Sequence, residues 1–263
     1  MRRRQPVSLK DAWAGGRVTH GVWSALDDPV AAEIVGRAGY DLVCVDLQHG
    51  FAHLGSVGRI LHALHGTPSA GVVRVAWNAP EQIMRVLDLG AEGVVVPMVD
   101  DAAQARRAAD ACRYAPAGTR SWGPLWGDVR RGFPEADEGD RIATCIVMIE
   151  TAAGLENIER IVRVPGVHAV YVGPNDLALS LGLGRVPLED SSELQEAVEH
   201  VMTTAHAADI AAGVDCAEPA TARHWVARGM DLVISARDSV LLRRAVDEAY
   251  LNVAAPAGAG RYR

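Results

Sequence analysis

Eight short apolar runs, each followed by a helix-length pattern, constrain this 263-residue chain more than any other feature. The runs cover residues 18–25, 42–47, 71–75, 93–98, 144–149, 169–173, 212–216 and 232–236. Helical patterns follow at 29–38, 56–64, 80–89, 102–112, 154–162, 192–208, 219–227 and 240–250. Strands that are apolar on both faces belong in a parallel sheet with helices on each side. Eight such units close an α/β barrel of the (β/α)8, or TIM, type, and the length suits one domain. Residues 1–263 are therefore read as a single TIM-barrel domain, with 1–15 and 254–263 as flexible tails.

Several function classes are excluded early. A net charge of −7 gives no electrostatic reason to bind nucleic acid or an anionic membrane. No apolar stretch reaches membrane-span length, and the basic start Met1 to Gln5 is not followed by a signal-peptide core. Cys44, Cys112, Cys145 and Cys216 are scattered and sit in apolar patterns, as reduced core residues of a cytoplasmic protein would. Neither a Gly-x-Gly-x-x-Gly nor a Walker loop is present, so no nucleotide is implied. Lys10 is the only lysine, in a polar segment where nothing is expected to desolvate it. Schiff-base catalysis needs a buried lysine of depressed pKa, and this chain is not expected to offer one.

The connection from Arg113 to Arg141 is long and holds Pro116, Gly118, Gly123, Pro124, Trp122 and Trp126. It follows a helix, so it starts at the face opposite the strand ends that carry chemistry. It is expected to cover that face within one subunit, or to offer its aromatic residues to a neighbouring subunit.

Chemistry-bearing residues gather where strands end. Glu150 closes the fifth run and Asp176 follows the sixth, Asp46 and His49 follow the second, and Arg74 lies among valines in the third. Each has a plain structural alternative: acids cap helices, His49 could cap a strand end, and Arg74 could pair with an acid. Together at one barrel end they suit a hard divalent cation and an anionic ligand. Gly173, Pro174 and Asn175, ahead of Asp176, could form an amide cradle for a carboxylate.

At these residues the chain resembles the HpcH/HpaI aldolases. The matching stretches are Asp46-Leu-Gln-His49-Gly50, Val73-Arg74-Val75 with Trp77-Asn78, Val96-Pro97-Met98-Val99, and Arg113-Tyr114 with Pro116-Ala117-Gly118-x-Arg120. Ile149-Glu150-Thr151 and Val172-Gly173-Pro174-x-Asp176-Leu177 complete the set. They run in family order over nearly the whole chain. The resemblance implies a metal-dependent carbon–carbon lyase that reversibly cleaves a 4-hydroxy-2-keto acid to pyruvate and an aldehyde. It implies that Glu150 and Asp176 hold Mg²⁺ or Mn²⁺, with Co²⁺ as a further candidate, and that the ion acts as a Lewis acid on the pyruvate enolate. Arg74 would stabilise the same oxygen. His49, positioned by Asp46, would take the 4-hydroxyl proton, and the amides of Gly173, Pro174-Asn175 and Asp176 would hold the carboxylate. Asp88 matches a position that serves an adjacent subunit, and the assembly implied is a hexamer, a dimer of trimers, with the last helix swapped (Leu241, Leu242, Ala245, Ala249). Related readings are oxaloacetate decarboxylation, another lyase reaction through the same enolate, and a non-catalytic barrel that binds a metal and a keto acid. The chain departs from the pattern at Met148, where relatives often carry Gln, and at Asp215, where relatives of the dicarboxylate-cleaving kind place an aliphatic residue.

Overall fold

A computed structural model describes residues 8–125 and 135–254. The eight apolar runs form β1 (Thr19–Ser24), β2 (Leu42–Asp46), β3 (Ala70–Arg74), β4 (Gly93–Val96), β5 (Thr144–Ile149), β6 (Ala169–Val172), β7 (Ala211–Asp215) and β8 (Leu232–Arg237). All neighbours are parallel, and β8 pairs with β1 to close the barrel in sequence order. The helices are α1 (Leu9–Ala14), α2 (Pro29–Gly36), α3 (Val57–Leu64), α4 (Pro80–Asp88), α5 (Ala102–Cys112) and α6 (Ala136–Ile142). They continue with α7 (Ala152–Glu156), α8 (Ile158–Ile161), α9 (Pro174–Ser180), α10 (Ser192–His206), α11 (Pro219–Ala227) and α12 (Asp238–Ala254). Local chemistry sets their starts: the Asp28 carboxylate accepts from the Val30 and Ala31 amides, and Asp101 accepts from Gln104.

Strand alternation sorts side chains into two layers. Val43, Val45, Val73 and Val147 point outward into one large cluster with the helices. Trp23, Cys44, Val72, Met148, Tyr171 and Ile234 fill the lumen. Two residues beyond Cys44, Val72, Met148 and Tyr171 stand Asp46, Arg74, Glu150 and Gly173, so the same parity turns these four inward near the strand ends. Register supports this on one pair, where Asp46 lies opposite Arg74.

Four expectations are corrected. Residues 8–15 are not a tail: Leu9 and Ala12 of α1 are buried, and Leu9 joins the lumen cluster from beneath. Residues 1–7 and 255–263 lie outside the described residues. The helix expected over 154–162 is two short ones, because Asn157 leaves helical geometry and ties its side chain to Asp100 O and Ala153 O. Lys10 is desolvated: it is half-buried, burial lowers its pKa, and its Nζ donates to Asp140 O and Ala143 O at 3.1 and 3.0 Å. Those bonds fasten α1 to α6 and the entry of β5, at the end of the barrel away from the expected site. Asp176 does not top a strand but sits in the first turn of α9, since β6 stops at Val172.

The described residues of the long connection gather at the same lower face. Tyr114 bridges to Arg120, its amide donates to Asp140 Oδ1, and its ring lies against Trp122 at 5.0 Å. Trp122 and Leu125 remain about half exposed. Trp126 lies outside the described residues. Among the described residues no helix is long and apolar enough to cross a membrane.

Candidate active site

A buried ion pair anchors the upper lumen. Arg74 Nε and Nη2 donate to Asp46 Oδ1 and Oδ2 at 3.0 and 2.6 Å, with side-chain exposures of 6% and 0%. Burial alone would raise the Asp46 carboxyl, but the Arg74 bonds and charge hold it below the usual range. Asp46 Oδ1 also accepts from the amides of Gln48 and His49 at 3.0 and 3.1 Å. The expected hold of Asp46 on His49 is therefore through the backbone of the turn, while the carboxylate faces Arg74. His49 itself is exposed at the mouth.

Glu150 is 2% exposed and clamped from two sides. Its Oε1 accepts from the Met98 amide at 2.7 Å. Met98 has φ +55°, the left-handed region that disfavours L side chains by about 1–2 kcal/mol, and this turn lies at the end of β4 beside Glu150. On the other side, a Cβ at Gly173 would stand 2.7 Å from Glu150 Oε2 and 3.1 Å from Met148 Cε. Only glycine leaves the carboxylate room. Burial pushes the Glu150 carboxyl up to about 7 against the opposing Met98 bond, and the nearby Asp176 and Asp100 charges add to the rise while Arg74 opposes it. Asp176 is exposed above it.

The amide cradle is smaller than expected. Gly173 donates its N–H to Ile149 O at 3.4 Å and Pro174 has none, which leaves the first-turn amides of Asn175 and Asp176. Asn175 is exposed.

Asp88 is not brought to this site. It ends α4 at the lower face, paired with Arg120 at 2.8 Å, and that guanidinium lies 4.5 Å from the Tyr114 ring centre. Burial raises its pKa, opposed by Arg120 and Arg85. Asp88 can meet an active site only across a subunit boundary.

Several participants escaped the sequence reading. Trp23 lies beneath the Arg74 guanidinium, 4.4 Å from ring centre to Cζ, and its Nε1 donates to Asp215 Oδ1 at 2.6 Å. Tyr171 donates its hydroxyl to the same oxygen at 3.1 Å. Ser24 Oγ, Gln48 Oε1 and Asn78 Oδ1, all just beyond or at the ends of β1, β2 and β3, are buried without hydrogen-bond partners. The usable signal was parity: Tyr171 stands two residues before Gly173. Met98 stood in a matching stretch with nothing to mark its role, because its contribution is a backbone amide. Met148 packs in the lumen beneath the site.

The donor set suits a hard divalent ion on this geometry. A buried carboxylate with one oxygen on an amide and the other against a glycine gap, next to a second acid, is only partly compensated by the Arg74 charge, which is already paired with Asp46. Among the described residues no group of three or more His, Cys, Asp or Glu converges for a metal. Glu150 and Asp176 are thus a two-carboxylate set, as ions that keep water or substrate oxygens among their ligands accept.

Comparison with known proteins agrees in family and fold. Residues 19–245 match the model of the HpcH/HpaI aldolase/citrate lyase family. A hydroxypyruvate/pyruvate aldolase of Rhizorhabdus wittichii is 36% identical over 239 residues, 90% of this chain and 94% of its own. A 4-hydroxy-2-oxo-heptane-1,7-dioate aldolase of Salmonella typhimurium is 35% identical, covering 91% of this chain and 92% of its own. A crystal structure of an HpcH/HpaI aldolase/citrate lyase family protein from Burkholderia cenocepacia superposes with TM-score 0.85 at 30% identity, over 93% of this chain and 98% of that one.

Proposed function

Because this chain belongs to the HpcH/HpaI aldolase/citrate lyase family and is a carbon–carbon lyase, we propose that it cleaves and forms 4-hydroxy-2-keto acids, releasing pyruvate and an aldehyde. The observation that carries the reading is the juxtaposition of the under-compensated Glu150 with the inward, buried Arg74 in one barrel mouth. The keto acid named for the Rhizorhabdus relative supports pyruvate or hydroxypyruvate as the retained fragment.

Glu150 and Asp176 would hold Mg²⁺, Mn²⁺ or Co²⁺. When bound, such an ion supplies Lewis-acid polarisation of the 2-keto oxygen. Arg74, locked in orientation by Asp46, directs its guanidinium at the oxygen that becomes negative as the C3–C4 bond breaks. His49 takes the 4-hydroxyl proton, the C3–C4 electron pair moves onto the keto oxygen, and a proton is returned to C3 as pyruvate forms. The first-turn amides of Asn175 and Asp176 meet the carboxylate. Lys10 is at the far end of the barrel, with its Nζ donating to Asp140 O and Ala143 O, which supports a reaction without a lysine Schiff base.

A homo-oligomer, a hexamer by family expectation, completes the reading. From Val240 to Val253 every residue of α12 is exposed, including Leu241, Leu242, Val246 and Leu251, and so large an apolar helix face calls for a second copy of the chain. Its start packs on β1, β8 and α2 of its own chain. Asp88 would enter a neighbour's site in that assembly. Buried, unpaired cysteines suit a cytoplasmic setting.

The test is pyruvate release from a panel of 4-hydroxy-2-keto acids, coupled to lactate dehydrogenase. EDTA should abolish it, and Mg²⁺ or Mn²⁺ should restore it. Undiminished turnover after chelation would defeat the metal reading, and failure on the whole panel would defeat the aldol reading.

A further inference from the structure

Asp215 ends β7, and its Oδ1 collects both the Trp23 indole N–H at 2.6 Å and the Tyr171 hydroxyl at 3.1 Å. Trp23 and Tyr171 meet edge to face, with ring centres 6.1 Å apart. The other face of this arrangement is Arg74, whose guanidinium carbon lies 4.4 Å from the Trp23 ring centre. The indole is thus fixed by β7 at its N–H and carries the arginine on its ring. The guanidinium has two restraints: the Asp46 fork sets its hydrogen-bonded edge, and the indole sets the plane on which it rests.

We propose that Asp215 is a positioning residue for Arg74, acting through the indole of Trp23. A hydrogen bond to an indole N–H is directional, so Asp215 fixes the rotation of the ring. Without it the ring is held by packing alone. The surface under the guanidinium is then less well defined, and the Asp46 edge is its one hydrogen-bonded restraint. Tyr171, held by the same oxygen, packs its ring against the indole. A neutral Asn at 215 keeps an oxygen for both donors, so it separates this geometry from the charge that Asp215 also sets near Arg74. The inference rests on the reading that Arg74 meets the anionic part of the substrate.

Oxalate, a planar dianion that resembles pyruvate enolate, reads the effect without turnover. Its affinity for the Mg²⁺-loaded protein is measured by calorimetry beside pyruvate release. Asp215→Leu and Trp23→Phe should each weaken oxalate binding about tenfold, while Asp215→Asn should recover most of that loss. In an Arg74→Ala background the same substitutions should change binding less than about twofold, because the group they position is gone. Additive losses in that background, a wild-type affinity in Trp23→Phe, or an Asn variant as weak as the Leu variant would each overturn the proposal. Should Asp215→Leu fail to fold, Trp23→Phe and Asp215→Asn, alone and with Arg74→Ala, carry the same test. Oxalate binding without pyruvate release would defeat the aldol reading alone. Turnover with additive losses would defeat this inference alone, and a wild type that does not bind oxalate would defeat it together with the role given to Arg74.

Discussion

Arg74 and Asp46 form a two-pronged ion pair on adjacent, in-register strands, buried at the top of the lumen. Removing one member strands the other charge, and broken buried pairs cost about 3–5 kcal/mol. Asp46→Asn should therefore lower unfolding stability in urea by several kcal/mol. A variant as stable as the wild type would show that water reaches the guanidinium.

Gly173→Ala tests the Glu150 clamp without straining the backbone. At φ −96° and ψ 91° alanine is conformationally acceptable, so its effect is the Cβ standing 2.7 Å from Glu150 Oε2. Metal affinity should fall by about 10–100-fold, the range for groups that orient metal ligands, with Tm nearly unchanged. A Mn²⁺ titration followed by electron paramagnetic resonance checks it.

Two buried groups bend the pH–stability profile in opposite directions. His168 is pushed down to about 4, by burial first and then by the Lys10 and Arg113 charges. Between that value and its unfolded value near 6.5 the unfolded chain binds more protons, so this contribution is present above about 6.5 and lost as pH falls toward 4. Glu150 is pushed up to about 7, so the folded protein binds more protons, and its stabilising contribution is lost as pH rises from about 4.5 to 7. In chelated protein, His168→Gln should lose more stability than the wild type as pH rises through 4.5–7, and Glu150→Gln should lose more as pH falls through 6.5–4. Chemical denaturation at several pH values reads both slopes, and parallel profiles in all three proteins would contradict the assignment.

Borohydride reduction in the presence of pyruvate should leave no adduct by mass spectrometry. Lys10→Met should keep its turnover, while losing stability because α1 is no longer tied to Asp140 and Ala143. A reduced adduct on Lys10 would reinstate covalent catalysis.

Leu242→Glu and Val246→Glu place charge on the uncovered face of α12. Light scattering should find a smaller species than the wild type forms. An unchanged mass would remove this helix from the interface.

The barrel was legible because eight runs announce eight strands, and residues whose side chains do chemistry, such as Glu150 and Arg74, stand out in apolar company. Asp176 was found but misplaced by a few residues, since a Pro-started helix and a strand extension look alike there. The support of Glu150 was not legible: Met98 acts through its N–H, and the value of Gly173 lies in an absent Cβ. Asp215 drew notice only as a departure, because its partners Trp23 and Tyr171 are 192 and 44 residues away in sequence. The tie of Lys10 to Asp140 spans 130 residues and was equally hidden.

The two-residue pleat of the strands has a consequence for how such a protein can change. Every lumen position is reached by an even step along its strand, and an odd shift would swap an acid for a valine and face the acid toward a helix. New chemistry can therefore be written into the strand positions of this site only by replacement in place. Asp215 is one such replacement available at a β7 end, and variation by insertion is confined to the turns that follow the strands.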